Sequence, residues 1–327
     1  MSGRQERRRV GIPQMGMLGW SLTALALVLV ALYAAYAHAI NTNAVGTLDA
    51  ADRFLRGGDG AVRLVAAAQF GPDKAQKLEM FLPAEAKAGG AGGKLPVVVF
   101  IHGGGWNSGN PHDYRFMARA LAPQGYAVVL AGYRHFPHVR YPAMLEDGAL
   151  AVKWVEDHAA EHGGDPARLV LMGHSAGAYN AMMLGLDPRW LNAVGLSPGA
   201  LRGVVGLSGP YDFYPFDVKA SIDSFGQAPD PADTQPVNHA RAGAPPLLLI
   251  HGSTDITVKP RNSIALARAM TNAGQPTQAI ILEGMSHEGV IMRFARPFAR
   301  DPRVLDAVLP FLRDVTQPSP AVQAAAR

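Results

Sequence analysis

Residues 173–177 read Gly-His-Ser-Ala-Gly and hold a serine, Ser175, in a context where it could act as a nucleophile. The apolar run 169–172 precedes this sequence and the helix-forming stretch 176–186 follows it, which predicts a strand, a sharp turn and a helix. A serine on such a strained turn projects its hydroxyl beyond the strand end, and flanking glycines let the strand and the helix pass close together. We therefore predict that Ser175 is a nucleophile.

A second stretch, 195–199, fits the same Gly-x-Ser-x-Gly pattern around Ser197. The residue after a nucleophilic serine normally contributes its backbone N–H to an oxyanion hole. Pro198 follows Ser197 and has no N–H, whereas Ala176 follows Ser175 and has one. Ser175 is thus the predicted nucleophile, and Ser197 is excluded.

A serine hydroxyl needs a base that takes its proton and an acid that orients the base. On a strand-turn-helix serine site these groups follow in the order serine, acid, histidine. Asp255 and His287 each come just after a predicted strand, at the sheet edge where ligands bind in parallel sheets. We predict that they are the acid and the base. Asp212 with His251 keeps the same order and is the alternative.

The sequence His-Gly-Gly-Gly-Trp at 102–106 directly follows another predicted strand. Consecutive glycines can turn their N–H groups toward one point, and each such donor stabilises an oxyanion by about 3 kcal/mol. We predict an oxyanion hole made by the N–H groups of Gly103, Gly104 and Ala176. Three further side chains near these motifs are candidates for substrate contact, namely Trp106, His174 and Tyr211.

The composition excludes several classes of protein. The chain has 327 residues and no cysteine, which excludes disulfides and thiolate metal sites. His135 and His138 lack acidic or histidine partners at helical spacing, so we expect no metal and no other cofactor. The net charge is only +4 and the arginines are scattered apart from one N-terminal cluster, which is unlike a nucleic-acid-binding surface.

The N-terminal region predicts a membrane anchor. Arginines at 4, 7, 8 and 9 precede residues 10–48, which contain no charged side chain, and the most apolar part is 18–40. At ~1.5 Å per residue this part spans about 34 Å as a helix, enough for the roughly 30 Å core of a bilayer. We expect residues 1–17 on the cytoplasmic side and 18–40 within the membrane. The chain beyond residue 41 is then expected on the opposite side, which is the periplasm in a bacterium. An Ala-His-Ala sequence at 37–39 leaves a cleaved signal peptide and a secreted protein as the alternative.

Beyond a polar stalk at 41–60, apolar strands alternate with helical patterns, which predicts the α/β class with a doubly wound, mostly parallel sheet. One catalytic domain is expected at 61–316, followed by a flexible tail at 317–327. The predicted strands are 62–70, 76–82, 96–101, 127–131, 169–172, 204–207, 246–250 and 278–282. The predicted helices are 114–121, 143–161, 176–186, 263–273 and 304–315.

Together these motifs resemble the α/β-hydrolase superfamily, in the esterase and lipase branch that includes hormone-sensitive-lipase-like carboxylesterases and kynurenine formamidases. The resemblance covers roughly 61–315 and also includes Tyr133-Arg134, 141–143 leading into 145–147, Asp255 and His287. It implies a serine hydrolase in which Ser175 attacks, His287 acts as base and then acid, and Asp255 orients it. The hormone-sensitive-lipase-like group usually has Asp in place of His174 and carries an N-terminal cap, for which this sequence shows no recognisable counterpart.

Three functions fit these observations. The first is a carboxylesterase for short-acyl or small aromatic esters, because the main insertion, 209–244, is too small for an extensive lid. The second is an arylformamidase-type amide hydrolase, with a substrate like N-formylkynurenine and the same three catalytic groups. The third is a membrane-tethered binding protein on an inactive hydrolase fold, against which the complete set of catalytic residues argues.

Overall fold

The computed structural model describes residues 17–86 and 93–317, and its contacts divide the chain into two units, 1–47 and 48–327. The described strands are β1 (Val62–Gln69), β2 (Lys77–Pro83), β3 (Leu95–Ile101), β4 (Ala127–Ala131), β5 (Gly164–His174), β6 (Leu201–Leu207), β7 (Leu247–Gly252) and β8 (Ala279–Leu282). The described helices are α1 (Met17–Arg56), α2 (Arg115–Leu121), α3 (Ala143–His158), α4 (Ala176–Leu186), α5 (Pro188–Ala193), α6 (Lys219–Phe225), α7 (Arg261–Asn272), α8 (His287–Met292) and α9 (Arg303–Val315).

The eight described strands form one sheet in the order β1-β2-β4-β3-β5-β6-β7-β8. Neighbouring strands from β4 to β8 run parallel, whereas β1 and β2 are antiparallel to their neighbours. Strands covered on both faces need continuous apolar sequence, and every residue of β3 after Leu95 is buried. The predicted mostly parallel α/β sheet is confirmed.

The sheet order creates a switch point beside β3. The chain leaves β3 for β4 on one side and returns to β5 on the other, so the loops after β3 and β5 diverge and leave a crevice between them. The register pairs Ile101 with Gly173, which brings the glycine-rich loop after β3 beside the turn after β5. Helix α4, which follows that turn, is buried along its whole length against the sheet.

Several elements differ from the sequence-based prediction. Strand β5 begins at Gly164 instead of 169, and the prediction missed the short helices α5, α6 and α8. Two of these helices begin at a side-chain cap, where Asp187 accepts from Arg189 N and Ser286 accepts from Gly289 N. Caps of this kind stabilise a helix too short to display an apolar period, so periodicity gave no signal for them.

In the N-terminal unit, α1 has one non-helical residue, Asn43, with φ −154° and ψ 83°. Among the described residues, no single helix meets the length and apolarity that a membrane crossing requires. Val28–Ala35 and Ala37–Arg56 meet that requirement only as a pair, and they are bent by 47°. The predicted segments 1–17 and 317–327 lie outside the described residues except for Met17 and Gln317, and most of the loop at 87–94 lies outside them as well.

The last turns of α1 lie in the second unit, 48–327, together with the sheet. Arg119 of α2 is almost fully buried, and it pairs with Asp52 at 2.6 Å and with Asp59 at 2.7 Å. The same guanidinium also pairs with Asp49. Because each buried charge has partners of the opposite sign, this network fixes the end of α1 on the domain.

Candidate active site

Ser175 lies on a strained turn between β5 and α4. Its φ of 54° and ψ of −123° fall in a backbone region that residues with a side chain rarely adopt. Its N–H donates to Leu207 O at 2.9 Å. The flanking glycines permit this geometry, because a Cβ at Gly173 would lie 2.2 Å from Gly177 O and one at Gly177 would lie 2.1 Å from Ile101 O. The sharp turn predicted around Ser175 is therefore present.

The glycine-rich loop after β3 lies against this turn. A Cβ added at Gly103 would lie 3.2 Å from Ser175 Cβ, so the backbone at Gly103 is a direct neighbour of the serine. Gly104 has φ +121°, and a Cβ there would meet Ser108 O at 2.1 Å. Ala176 is the first residue of α4, where helix N–H groups lack partners within the helix. The predicted oxyanion donors Gly103 and Ala176 thus flank Ser175 in space.

Asp255 and His287 form a buried hydrogen-bonded pair. His287 Nδ1 donates to Asp255 Oδ2 at 2.7 Å, and both side chains are almost fully shielded from solvent. The other carboxylate oxygen, Oδ1, accepts from the backbone N–H groups of Thr257 at 3.0 Å and Val258 at 2.8 Å. With its proton on Nδ1, the neutral imidazole presents Nε2 as the nitrogen that can accept a proton.

The environment keeps Asp255 ionised. Burial alone raises the pKa of this carboxyl group, but hydrogen bonds from His251, His287 and the Val258 N–H outweigh burial and hold the pKa well below its usual range. A permanent negative charge next to His287 favours the protonated imidazole that forms when a base accepts a proton. The pair can therefore support general base catalysis.

The alternative acid and base pair is not formed. Asp212 instead forms an ion pair with Arg261, in which Arg261 Nη1 lies 3.9 Å from Asp212 Oδ2. His251 Nε2 instead lies 3.2 Å from Asp255 Oδ2. The structure therefore joins Asp255 to both histidines and leaves Asp212 outside this group.

A cavity of about 370 Å³ opens next to Ser175 and Ala176. Its aromatic wall consists of Trp106 and Phe213, whose rings stack with centroids 6.0 Å apart. Trp106 is held in place because its Nε1 donates to Asn180 Oδ1 at 3.1 Å. The cavity is large enough for a small organic group and gives such a group direct access to the serine.

The family model with the description BD-FAE matches residues 78–270. The chain belongs to the BD-FAE family. It thereby belongs to the esterase and lipase branch of the α/β-hydrolases, as the motifs predicted. The match includes Ser175 and Asp255, and it ends before His287.

The chain is 27% identical over 246 residues to the probable isoprenylcysteine alpha-carbonyl methylesterase ICMEL1 of Arabidopsis thaliana, covering 68% of this chain and 51% of that protein. It is 31% identical over 183 residues to the probable carboxylic ester hydrolase LipM of Mycobacterium tuberculosis, covering 51% and 42%. This chain thus spans about half the length of the curated relatives it matches. The propionate-bound esterase Est2 of Thermogutta terrifontis has a TM-score of 0.64 and 25% identity, covering 78% of this chain and 96% of that one.

The three candidate substrate contacts of this BD-FAE member have different surroundings. Trp106 lines the cavity, but His174 and Tyr211 are absent from its lining. His174 Nε2 donates to His287 O at 3.1 Å, and burial, followed by the nearby His287, lowers the pKa of His174 to about 3. Tyr211 is fully buried in the core, and Phe213, two residues later, lines the cavity instead.

Sequence reasoning missed the side chains that hold the cavity wall of this BD-FAE member. Asn262 Oδ1 accepts from the N–H groups of Tyr211 at 2.9 Å and Asp212 at 2.8 Å. Gln235 Oε1 accepts from Phe213 N at 2.7 Å and from the following N–H at 3.1 Å. These contacts join distant parts of the chain, and a single sequence carries no signal for them. The described residues contain no group of three or more possible metal ligands.

Proposed function

We propose that this protein is a serine carboxylesterase that uses Ser175, His287 and Asp255. The observation that carries the proposal is the 2.7 Å hydrogen bond from His287 Nδ1 to the ionised Asp255. Membership of the BD-FAE family and relatives that are named esterases support ester hydrolysis. The strained backbone of Ser175, at the edge of an open cavity, supports its role as nucleophile.

In the proposed reaction, Ser175 Oγ attacks the ester carbonyl carbon while His287 Nε2 takes the hydroxyl proton. The oxyanion that forms is stabilised by N–H groups from Gly103, Gly104 and Ala176. His287 then returns the proton to the leaving alcohol, and an acyl-enzyme remains on Ser175. A water molecule, activated by the same imidazole, hydrolyses the acyl-enzyme and restores the serine.

We propose that the substrates are short-acyl or small aromatic esters. A cavity of about 370 Å³ with Trp106 and Phe213 on one wall fits a small acyl or aromatic group. The Thermogutta esterase, which has 25% identity to this chain, was solved with propionate, a three-carbon acid. The Arabidopsis relative is named a probable isoprenylcysteine alpha-carbonyl methylesterase, which supports ester hydrolysis with a small alcohol but not a short acyl group.

Nitrophenyl esters of increasing acyl length test the substrate class. We expect kcat/KM to be highest for short chains and to fall as the acyl group outgrows the cavity. N-formylkynurenine serves as an amide comparison, and we expect it to be hydrolysed more slowly than the best ester. A maximum at long acyl chains would contradict the proposed class, and a clear preference for the formamide would replace it with the amidase function.

We propose that residues 18–40 anchor the catalytic domain in a membrane, with the domain on the non-cytoplasmic side. The charge-free sequence from 10 to 48, preceded by four arginines, supports this orientation. Large apolar side chains of α1 are exposed in the described part of this region, including Leu29, Val30 and Tyr33. Fractionation of cells that express the full chain tests it. We expect the protein in membranes after alkaline washing, and release of a shortened form would indicate a cleaved signal peptide instead.

A further inference from the structure

His251 is a buried histidine that the proposed mechanism does not use. It lies near the end of β7, and its side chain is fully shielded from solvent. Its Nε2 lies 2.7 Å from Val258 O and 3.2 Å from Asp255 Oδ2, and its Nδ1 lies 2.8 Å from Ser263 Oγ. Every ring nitrogen of His251 therefore has a partner, and one of the partners is the carboxylate that orients His287.

The partners determine where the protons lie. A backbone carbonyl and an ionised carboxylate can only accept hydrogen bonds, so Nε2 of His251 must carry a proton that it shares between Val258 O and Asp255 Oδ2. In the neutral ring, Nδ1 then accepts from the Ser263 hydroxyl. Ser263 in α7 thus hydrogen-bonds His251, the N–H of His251 lies 3.2 Å from Asp255 Oδ2, and His287 hydrogen-bonds the same oxygen from α8.

We infer that His251 is a positioning residue, which holds the Asp255 carboxylate in the orientation that His287 requires and limits how strongly that carboxylate stabilises a protonated His287. This inference rests on the proposed esterase function. Oδ2 of Asp255 receives N–H groups from both imidazoles, while Oδ1 is held by two backbone N–H groups. With both oxygens held, the carboxylate cannot rotate away from His287.

Loss of His251 has two consequences. The carboxylate loses one of its restraints, which lowers the fraction of time that His287 is correctly oriented and lowers kcat. The carboxylate also directs more of its charge toward His287, which stabilises the protonated imidazole and moves the acid limb of the pH–rate profile to higher pH. The titratable groups that interact with His251 are Asp255 beside it, His287 through Asp255, and His174 at the end of β5.

The variants His251→Ala, His251→Gln and Ser263→Ala test the inference in the full-length protein. For His251→Ala we expect kcat to fall by about 10- to 100-fold with little change in KM, and the acid limb to rise by roughly half a pH unit. His251→Gln keeps an N–H donor and is expected to recover much of kcat and the wild-type acid limb. Ser263→Ala removes the donor to Nδ1 and is expected to cause a smaller shift in the same direction.

His239→Gln is the matched control, because His239 is a largely buried histidine that also bonds a backbone carbonyl, that of Asp233 at 2.7 Å. We expect this control to leave the acid limb unchanged. Titration with a fluorophosphonate normalises each rate to the amount of reactive serine. The inference would be overturned if the acid limb of the pH–rate profile lay at the same pH in His251→Ala, in Ser263→Ala and in the wild type. If His251→Ala does not fold, Ser263→Ala decides alone. A wild-type protein that resists the fluorophosphonate would instead refute the proposed function.

Discussion

Two stretches of this chain share the Gly-x-Ser-x-Gly pattern, and they fold differently. At 173–177 the serine has φ 54° and ψ −123°, and a Cβ added at Gly177 would lie 2.1 Å from a backbone oxygen. At 195–199 the serine has φ −69° and ψ 146°, and a Cβ at Gly195 would meet nothing within 4 Å. The glycines of 173–177 are required by close packing. Gly195 has open space around it, and only its positive φ of 76° favours glycine there.

The two stretches also lie at different positions relative to the sheet. Residues 173–177 span the carboxyl end of β5, whereas 195–199 precede β6 at its amino end. The exposed Ser197 uses its Oγ to accept from Gly199 N at 3.1 Å. The difference teaches that this pattern supports nucleophilic chemistry only at the sheet edge where the oxyanion loop and the acid–base pair also lie.

The largest expected difference between the two serines is in activity. We expect Ser175→Ala to lower kcat/KM by at least ~10⁴-fold, because the nucleophile is lost and only binding and oxyanion stabilisation remain. We expect Ser197→Ala to stay within about twofold of the wild type, since it is an exposed residue remote from catalysis. Hydrolysis of a short nitrophenyl ester measures both variants, and equal losses would break the distinction between the two stretches.

Asp255→Asn tests whether the acid–base pair distinguishes the first stretch. An amide in place of the carboxylate favours the wrong tautomer of His287, so we expect kcat to fall by roughly 10³- to 10⁴-fold.

The fold lowers the pKa of Asp255, so the stability from its ionised form is present above the unfolded value of about 3.9 and is lost as the pH falls through the folded value. Urea unfolding should therefore show a lower free energy of unfolding for Asp255→Asn than for the wild type at neutral pH. This difference should narrow in strong acid. Ser197→Ala removes no charge, so we expect its difference from the wild type in free energy of unfolding not to depend on pH. A pH-independent gap for Asp255→Asn would contradict the lowered pKa.

Glycine substitutions test the packing difference. We expect Gly177→Ala to destabilise the protein by about 3 kcal/mol or more, because its Cβ would overlap Ile101 O at 2.1 Å. Gly199→Ala should change stability by no more than about 0.5 kcal/mol, since its Cβ would lie 3.5 Å from Ser197 Oγ, an ordinary contact. Denaturant unfolding measures both, and similar values would show that the turn at Ser175 can relax around a side chain.

A small effect on stability is expected from the hydroxyl of Ser197. It caps the short 3₁₀ helix that begins at 198, and its loss in Ser197→Ala should lower the free energy of unfolding by roughly 0.5–1 kcal/mol. Thermal unfolding monitored by circular dichroism measures this change. A loss of several kcal/mol would mean that the second stretch supports the fold more than its exposed position indicates.

The sequence predicted the sheet well because buried parallel strands are continuous apolar runs. Strand β4 has the predicted bounds, and β3 begins one residue earlier than predicted. The start of β5 was missed because residues 164–168 contain no large apolar side chain, and Asp165 pairs with Arg168 at 2.6 Å. Helix α6, within the insertion at 209–244, lacks a side-chain cap and is too short to show a period.

For the site, the order along the chain and the position after a predicted strand led us to pair Asp255 with His287. The structure joins these two residues by a hydrogen bond. The same reasoning could not predict that His251 contacts Asp255, because that contact depends on how the loop after β7 folds back. It also named Tyr211 as a substrate contact, whereas Phe213 lines the cavity wall. Which of the two faces the cavity depends on backbone hydrogen bonds to Asn262 and to other distant side chains.

Peptide mapping after treatment with a fluorophosphonate tests the central claim most directly. We predict one covalent label per chain, on the peptide that contains Ser175, and a strongly reduced labelling rate in His287→Ala. A folded wild-type protein that remains unlabelled, a label on Ser197, or an unchanged labelling rate without the imidazole of His287 would each contradict the account.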